Sequence, residues 1–131
     1  MQYMERVEQG LLVKTQDHKT IRKMGMKQFL NRLLKMELAT YEGRIKTLRE
    51  TYALKNNVPI YVDETTCLYM STNIRDQDTV CINYHSVLSI REKSESSCEL
   101  IFKDLSIKTI NVPYKKLMHR HLKAAQLLQL L

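Results

Sequence analysis

The chain has 131 residues, of which 44% are hydrophobic and 27% charged, and its net charge is +7. This is enough for one domain with a real core, which excludes disorder over most of the length. Cys67, Cys81 and Cys98 form no CxxC pair, which argues against a zinc site or a disulfide framework. No window reaches the roughly 20 apolar residues of a membrane span, so no membrane partner is expected. No signal peptide is visible, and a cytoplasmic location is expected. The positive charge favours anionic partners, or else marks a well-solvated surface.

Met4 and Val7 stand at helical spacing, so Met1–Gln9 is expected to form one or two helical turns, broken by Gly10. Leu11–Lys14 is a short apolar run suited to an edge strand, and Gln16–Lys19 is a polar turn. Thr20 can cap a helix beginning at Ile21. Ile21, Met24, Phe29, Leu30, Leu33, Leu34 and Leu38 supply its apolar face, with Gly25 as a weak point inside. Gly43, within Tyr41-Glu42-Gly43-Arg44, suggests a turn or a close backbone approach. Ile45–Leu54 fits either a helix or an extended basic arm.

Pro59 restarts the chain in an extended conformation after the Asn56-Asn57 turn. Strand-like runs follow at Ile60–Val62, Thr66–Met70, Val80–Tyr84, Ser86–Arg91, Glu99–Lys103 and Ile107–Val112. Short links between them favour antiparallel pairing. Pro113 opens an amphipathic helix with Tyr114, Leu117, Met118, His121, Leu122, Ala125 and Leu128 on its apolar stripe. The fold class is therefore α+β: an N-terminal helix, an antiparallel sheet of about five to six strands, and a C-terminal helix packed on the sheet. One domain is expected, divided into an extension (1–19), a helix with a basic arm (20–55) and the sheet with its closing helix (58–131).

Glycines stand only at positions 10, 25 and 43, so neither a GxGxxG nor a Walker loop can be assembled. Nothing marks a nucleophile elbow. His119 and His121 are two apart and would face differently on a helix, so they cannot clamp one metal. His121, on the apolar stripe, reads as a packing residue. No catalysis, cofactor or metal is expected.

The stretch Tyr41, Arg44, Lys46, Arg49, Tyr52 and Lys55 alternates cations with aromatics. Lys and Arg neutralise phosphates and release counterions, and Arg can enter a narrow A/T-rich minor groove. A solvent-exposed segment with incidental charge weighs equally.

Three segments resemble the ComK family, the competence transcription factors of low-GC Gram-positive bacteria. They are the helix followed by Tyr41-Glu42-Gly43-Arg44; Val58-Pro59-Ile60-Tyr61-Val62 with Leu68–Thr72; and Val80–Ile90 with Cys98–Phe102 and Ile110–Tyr114. Their shared order carries the likeness, over about residues 20–128. The resemblance implies a DNA-binding activator that contacts A/T-rich minor grooves of double-stranded DNA, acts as a homo-oligomer and is controlled by an adaptor and a protease. Tyr41, Gly43, Arg44, Lys46, Arg49 and Lys55 would form its DNA-binding segment. Two departures are expected: no N-terminal strands, and no tail beyond the closing helix. The alternative is an interaction module or modulator that forms mixed oligomers without binding DNA.

Overall fold

The computed structural model describes residues 1–131. Six strands form the central antiparallel sheet: β1 (Tyr3–Val7), β2 (Gly10–Lys14), β3 (Lys19–Arg22), β4 (Ile60–Asp63), β5 (Thr66–Met70) and β6 (Val80–Asn83), in the order β3-β2-β1-β6-β5-β4. Three more, β7 (Val87–Ser94), β8 (Ser97–Phe102) and β9 (Ile107–Ile110), form a second antiparallel sheet. The helices are α1 (Met26–Lys35), α2 (Tyr41–Tyr52) and α3 (Tyr114–Leu130).

The inner strands β1, β5 and β6 of the central sheet are buried on both faces, and their side chains sort by the two-residue period of a strand. Tyr3, Cys67, Tyr69, Val80 and Ile82 face one core, which Leu100, Phe102, Ile110, Leu117 and Ala124 complete. Met4, Leu11, Val13, Leu68, Met70 and Cys81 face the other, filled by Met26, Phe29, Leu30 and Leu34 of α1. The sheet is thus a middle layer, with α1 and α2 on one side and the second sheet with α3 on the other. Two-sided burial explains why β5 and β6 read as continuous apolar runs, not as alternation. Tyr3 and Phe102 stack across one core at 5.7 Å between ring centroids. No helix is long and apolar enough to cross a membrane.

The α+β class and the closing helix on the sheet hold. The strands number nine in two sheets because the first 22 residues supply three of them. The expectation that N-terminal strands are missing is therefore overturned, as is the helical reading of Met1–Gln9. Met4 and Val7 fall at helical spacing by coincidence: Tyr3 and Met4 are both buried, on opposite faces, as a strand between two neighbours requires. β2 is not an edge, since β3 pairs along it from Leu11↔Arg22 to Lys14↔Lys19.

Thr20 and Ile21 lie in β3, whose four residues are all exposed, so burial leaves no pattern there to read. The helix expected from Ile21 starts at Met26, with Gly25 in extended conformation as its N-cap. It ends at Lys35 through a Schellman motif: Ala39 N–H donates to the Leu34 carbonyl (3.1 Å) and Leu38 N–H to the Lys35 carbonyl (3.0 Å). Leu38, expected on the apolar face, sits instead at the left-handed C′ position with φ 55° and is 95% exposed. At the β1–β2 turn Gly10 has φ +142°, and a Cβ there would overlap the Arg22 carbonyl oxygen. On α3 the buried residues are Leu117, Ala124 and Leu127, while Leu122, expected on the stripe, is 51% exposed.

Candidate nucleic-acid interface

The ambiguous stretch after Gly43 is helical, not an extended arm. Thr40 is the N-cap of α2; its Oγ1 accepts from Gly43 N–H (3.1 Å), and its carbonyl accepts from Arg44 N–H (2.9 Å). The turn suggested by Gly43 is thus the first turn of this helix, and the close approach is that of the capping hydroxyl. Glu42 in the first turn and Arg49 in the last complement the helix dipole. Ala53, in left-handed conformation, ends the helix. Tyr41 N–H also donates to Asn31 Oδ1 of α1 (2.7 Å), which ties the two helices together.

Leu48 is buried, and Tyr41 and Ile45 pack against the core shared with α1. This inner face fixes where the cations lie. Lys46 and Arg49, with Tyr41, border an open groove of about 640 Å³ between α2 and the loop carrying Asn73, Ile74 and Arg75. Gly43 and Arg44 lie on the opposite flank, in a shallow depression shared with Leu38 and Thr47. Helical periodicity separates them, since Arg44 and Lys46 are two residues apart and point about 160° away from each other. Lys55 is exposed in the linker before β4, beyond the helix. Of the six residues marked in the sequence, three converge, two form a second patch and one stands alone.

The groove has members that the sequence did not reveal. Lys27 of α1 borders it, with Nζ 5.5 Å from the centroid of the Tyr41 ring and 3.4 Å from Glu42 Oε1. Arg75 contributes from the loop. A narrower cleft of about 140 Å³ adjoins it at the end of β5, bordered by Tyr41, Arg49, Asn73 and, from α3, Arg120. Arg120 Nη1 donates to the carbonyls of Met70 and Thr72, both at 3.3 Å. Burial lowers the Arg120 pKa, against the opposing pull of Asp76. The group stays a cation, as guanidinium does in proteins. Burial raises the Tyr41 pKa, Arg49 partly offsetting it, so the phenol is neutral. In the sequence Arg120 is one more cation off the stripe of α3; only the fold brings it beside Arg49.

A family model described as ComK protein matches residues 4–131. The match begins within β1, so it includes the N-terminal strands that the sequence motifs alone did not cover. No curated protein and no solved structure matches the chain. With almost its whole length matched, the chain belongs to the ComK family.

Proposed function

We propose that this chain is a DNA-binding transcriptional regulator of the competence type, and not an enzyme. It acts in the cytoplasm as a homo-oligomer and contacts A/T-rich minor grooves through the basic face of α2. The family match over residues 4–131 carries this reading. The charge distribution supports it. Residues 22–55 hold nine Lys/Arg and three Asp/Glu, a net +6 out of the chain's +7. A phosphate backbone is the polyanion that such a surface suits, and the exposure of Lys46 and Arg49 along one groove supports them as its contacts. Adaptor-controlled proteolysis belongs to the same reading as a family trait.

The competing reading is an interaction module without DNA affinity. It draws on β3, an edge strand exposed at all four residues, along which a partner strand can pair. Binding to a fluorescent A/T-rich duplex and a matched G/C-rich duplex, across a salt series, separates the two. The regulator binds the A/T duplex more tightly, with strong salt dependence. Equal weak binding to both reduces the charge to a generic effect. No binding near physiological salt favours the interaction module.

A further inference from the structure

The cleft between α2 and α3 has a chemistry of its own. Two guanidiniums border it, Arg49 from one side of the central sheet and Arg120 from the other, and no carboxylate borders it. Neither Arg takes part in an ion pair within the chain. Arg120 uses only Nη1 on carbonyls, so Nε and Nη2 have no partner within the chain. Asn73 uses its Oδ1 to accept from Arg75 N–H (2.9 Å), which leaves its Nδ2 free to donate. Tyr41, whose hydroxyl makes no hydrogen bond within the chain and can donate, also borders the cleft. Asp76 bears on Arg120 without bordering the cleft, and Glu42 and Glu50 border the adjoining groove on the Arg49 side, not the cleft itself.

Convergent donors with no carboxylate among them match a tetrahedral oxyanion, and paired guanidiniums bind one by charge-assisted, bidentate hydrogen bonds. A volume of about 140 Å³ suits one such group, not a whole nucleotide. We propose that the Arg49–Arg120 cleft is a seat for a single phosphoryl group, with Asn73 and Tyr41 as auxiliary donors. It shares Arg49 with the DNA-binding face proposed above, yet stands or fails separately from it. The phosphoryl group is either a phosphodiester of the duplex or part of a free phosphorylated molecule.

The test is titration of the folded chain with inorganic phosphate, followed by amide and guanidinium NMR shifts, against sodium chloride at equal ionic strength. Saturable shifts at Arg49, Asn73 and Arg120 with phosphate alone are expected. Arg49→Gln, at an exposed position, is expected to weaken phosphate binding at least tenfold. Asn73→Asp keeps the oxygen that accepts from Arg75 but adds a carboxylate, and is expected to abolish saturation. Shifts that rise linearly and equally with chloride overturn the proposal, as does unchanged phosphate affinity in folded Asn73→Asp. Competition by an A/T-rich duplex assigns the seat to the DNA backbone. Phosphate saturation without duplex binding keeps the seat, assigns it to a free ligand and removes the DNA reading. Duplex binding with no phosphate saturation does the reverse.

Discussion

Tyr69 and His121 share a hydrogen bond of 2.9 Å between the Tyr69 hydroxyl and His121 Nδ1, joining the central sheet to α3. The Tyr84 ring lies 4.7 Å from the same imidazole. Burial raises the Tyr69 pKa and lowers that of His121, so both partners are neutral near pH 7. An unfolded histidine takes up its proton near pH 6.5 or so, whereas the folded one resists it. Below about pH 6.5 the unfolded state therefore binds more protons, and stability falls with pH until the lower folded pKa is passed. Melting temperatures from about pH 7.5 to 5 should fall for the wild type and flatten across that window for His121→Gln. At pH 7.5 that variant should lose about 1 kcal/mol with the hydrogen bond.

Arg49 and Arg44 should not be equivalent. Arg49 borders the groove with Lys46 and Tyr41, while Arg44 lies on the other flank. Arg49→Ala is expected to weaken duplex binding more than Arg44→Ala. Removing a cation that neutralises one phosphate should lower the slope of log K against log salt by about 0.9. The double variant should be weakest of all and show the flattest salt dependence. Unchanged affinity in the folded double variant would remove α2 from the interface. Anisotropy titrations at several salt concentrations measure all three.

Leu38→Gly should stabilise the protein. The side chain is almost fully exposed, and its backbone holds the left-handed conformation that glycine adopts freely at this position. Relief of that strain exceeds the extra chain entropy of glycine, for a net gain of about 0.5–1 kcal/mol in urea unfolding. A decrease in stability would show that Leu38 packs in solution in a way its exposure hides.

Gly10→Ala should do the opposite. The added Cβ meets the Arg22 backbone, which cannot swing aside as a side chain would. A loss of about 2–3 kcal/mol is expected from the clash and the positive φ together. Urea unfolding of this variant checks the β1–β2–β3 register.

The three thiols should be inert in the native state. Cys67, Cys81 and Cys98 are fully buried, and burial raises all three pKa values, Cys67 to about 12. Thiolate is the reactive form, so labelling with a disulfide reagent at about pH 8 should follow the unfolding rate. A burst from any one cysteine in native protein would show local opening around it.

The sequence was legible where burial imposes a period and opaque where it does not. β4, β5, β6 and the β8–β9 hairpin lie within a residue or two of their expected places, because strands packed on a core keep their apolar signature. β3 leaves none, since Lys19, Thr20, Ile21 and Arg22 are all exposed and are held by backbone pairing with β2 and by the Arg22 guanidinium over the Phe29 ring. Thr20 before Ile21 then mimics a helix start, although the helix is capped by Gly25 and begins at Met26. At the candidate site the cations between Tyr41 and Lys55 could be named from the sequence, but whether they stand on a helix or an extended arm could not, because both readings fit Ile45–Leu54. Which cations meet could not be read either, because Arg49 and Arg120 come together only through the sheet between their helices.

The pairing of β1 with β6, Tyr3 opposite Ile82, also sets the order of assembly. The β1–β2–β3 meander forms from neighbouring residues, but its inner edge stays open until β6 has been synthesised. A nascent chain emerging from the ribosome must therefore carry Tyr3 and Met4 unpaired on that edge through the synthesis of α1, α2, β4 and β5. Closure of the central sheet is a late, long-range event, and such topologies fold slowly. The growing polypeptide is most exposed to wrong strand pairing in that interval, when chaperone capture has the most to offer.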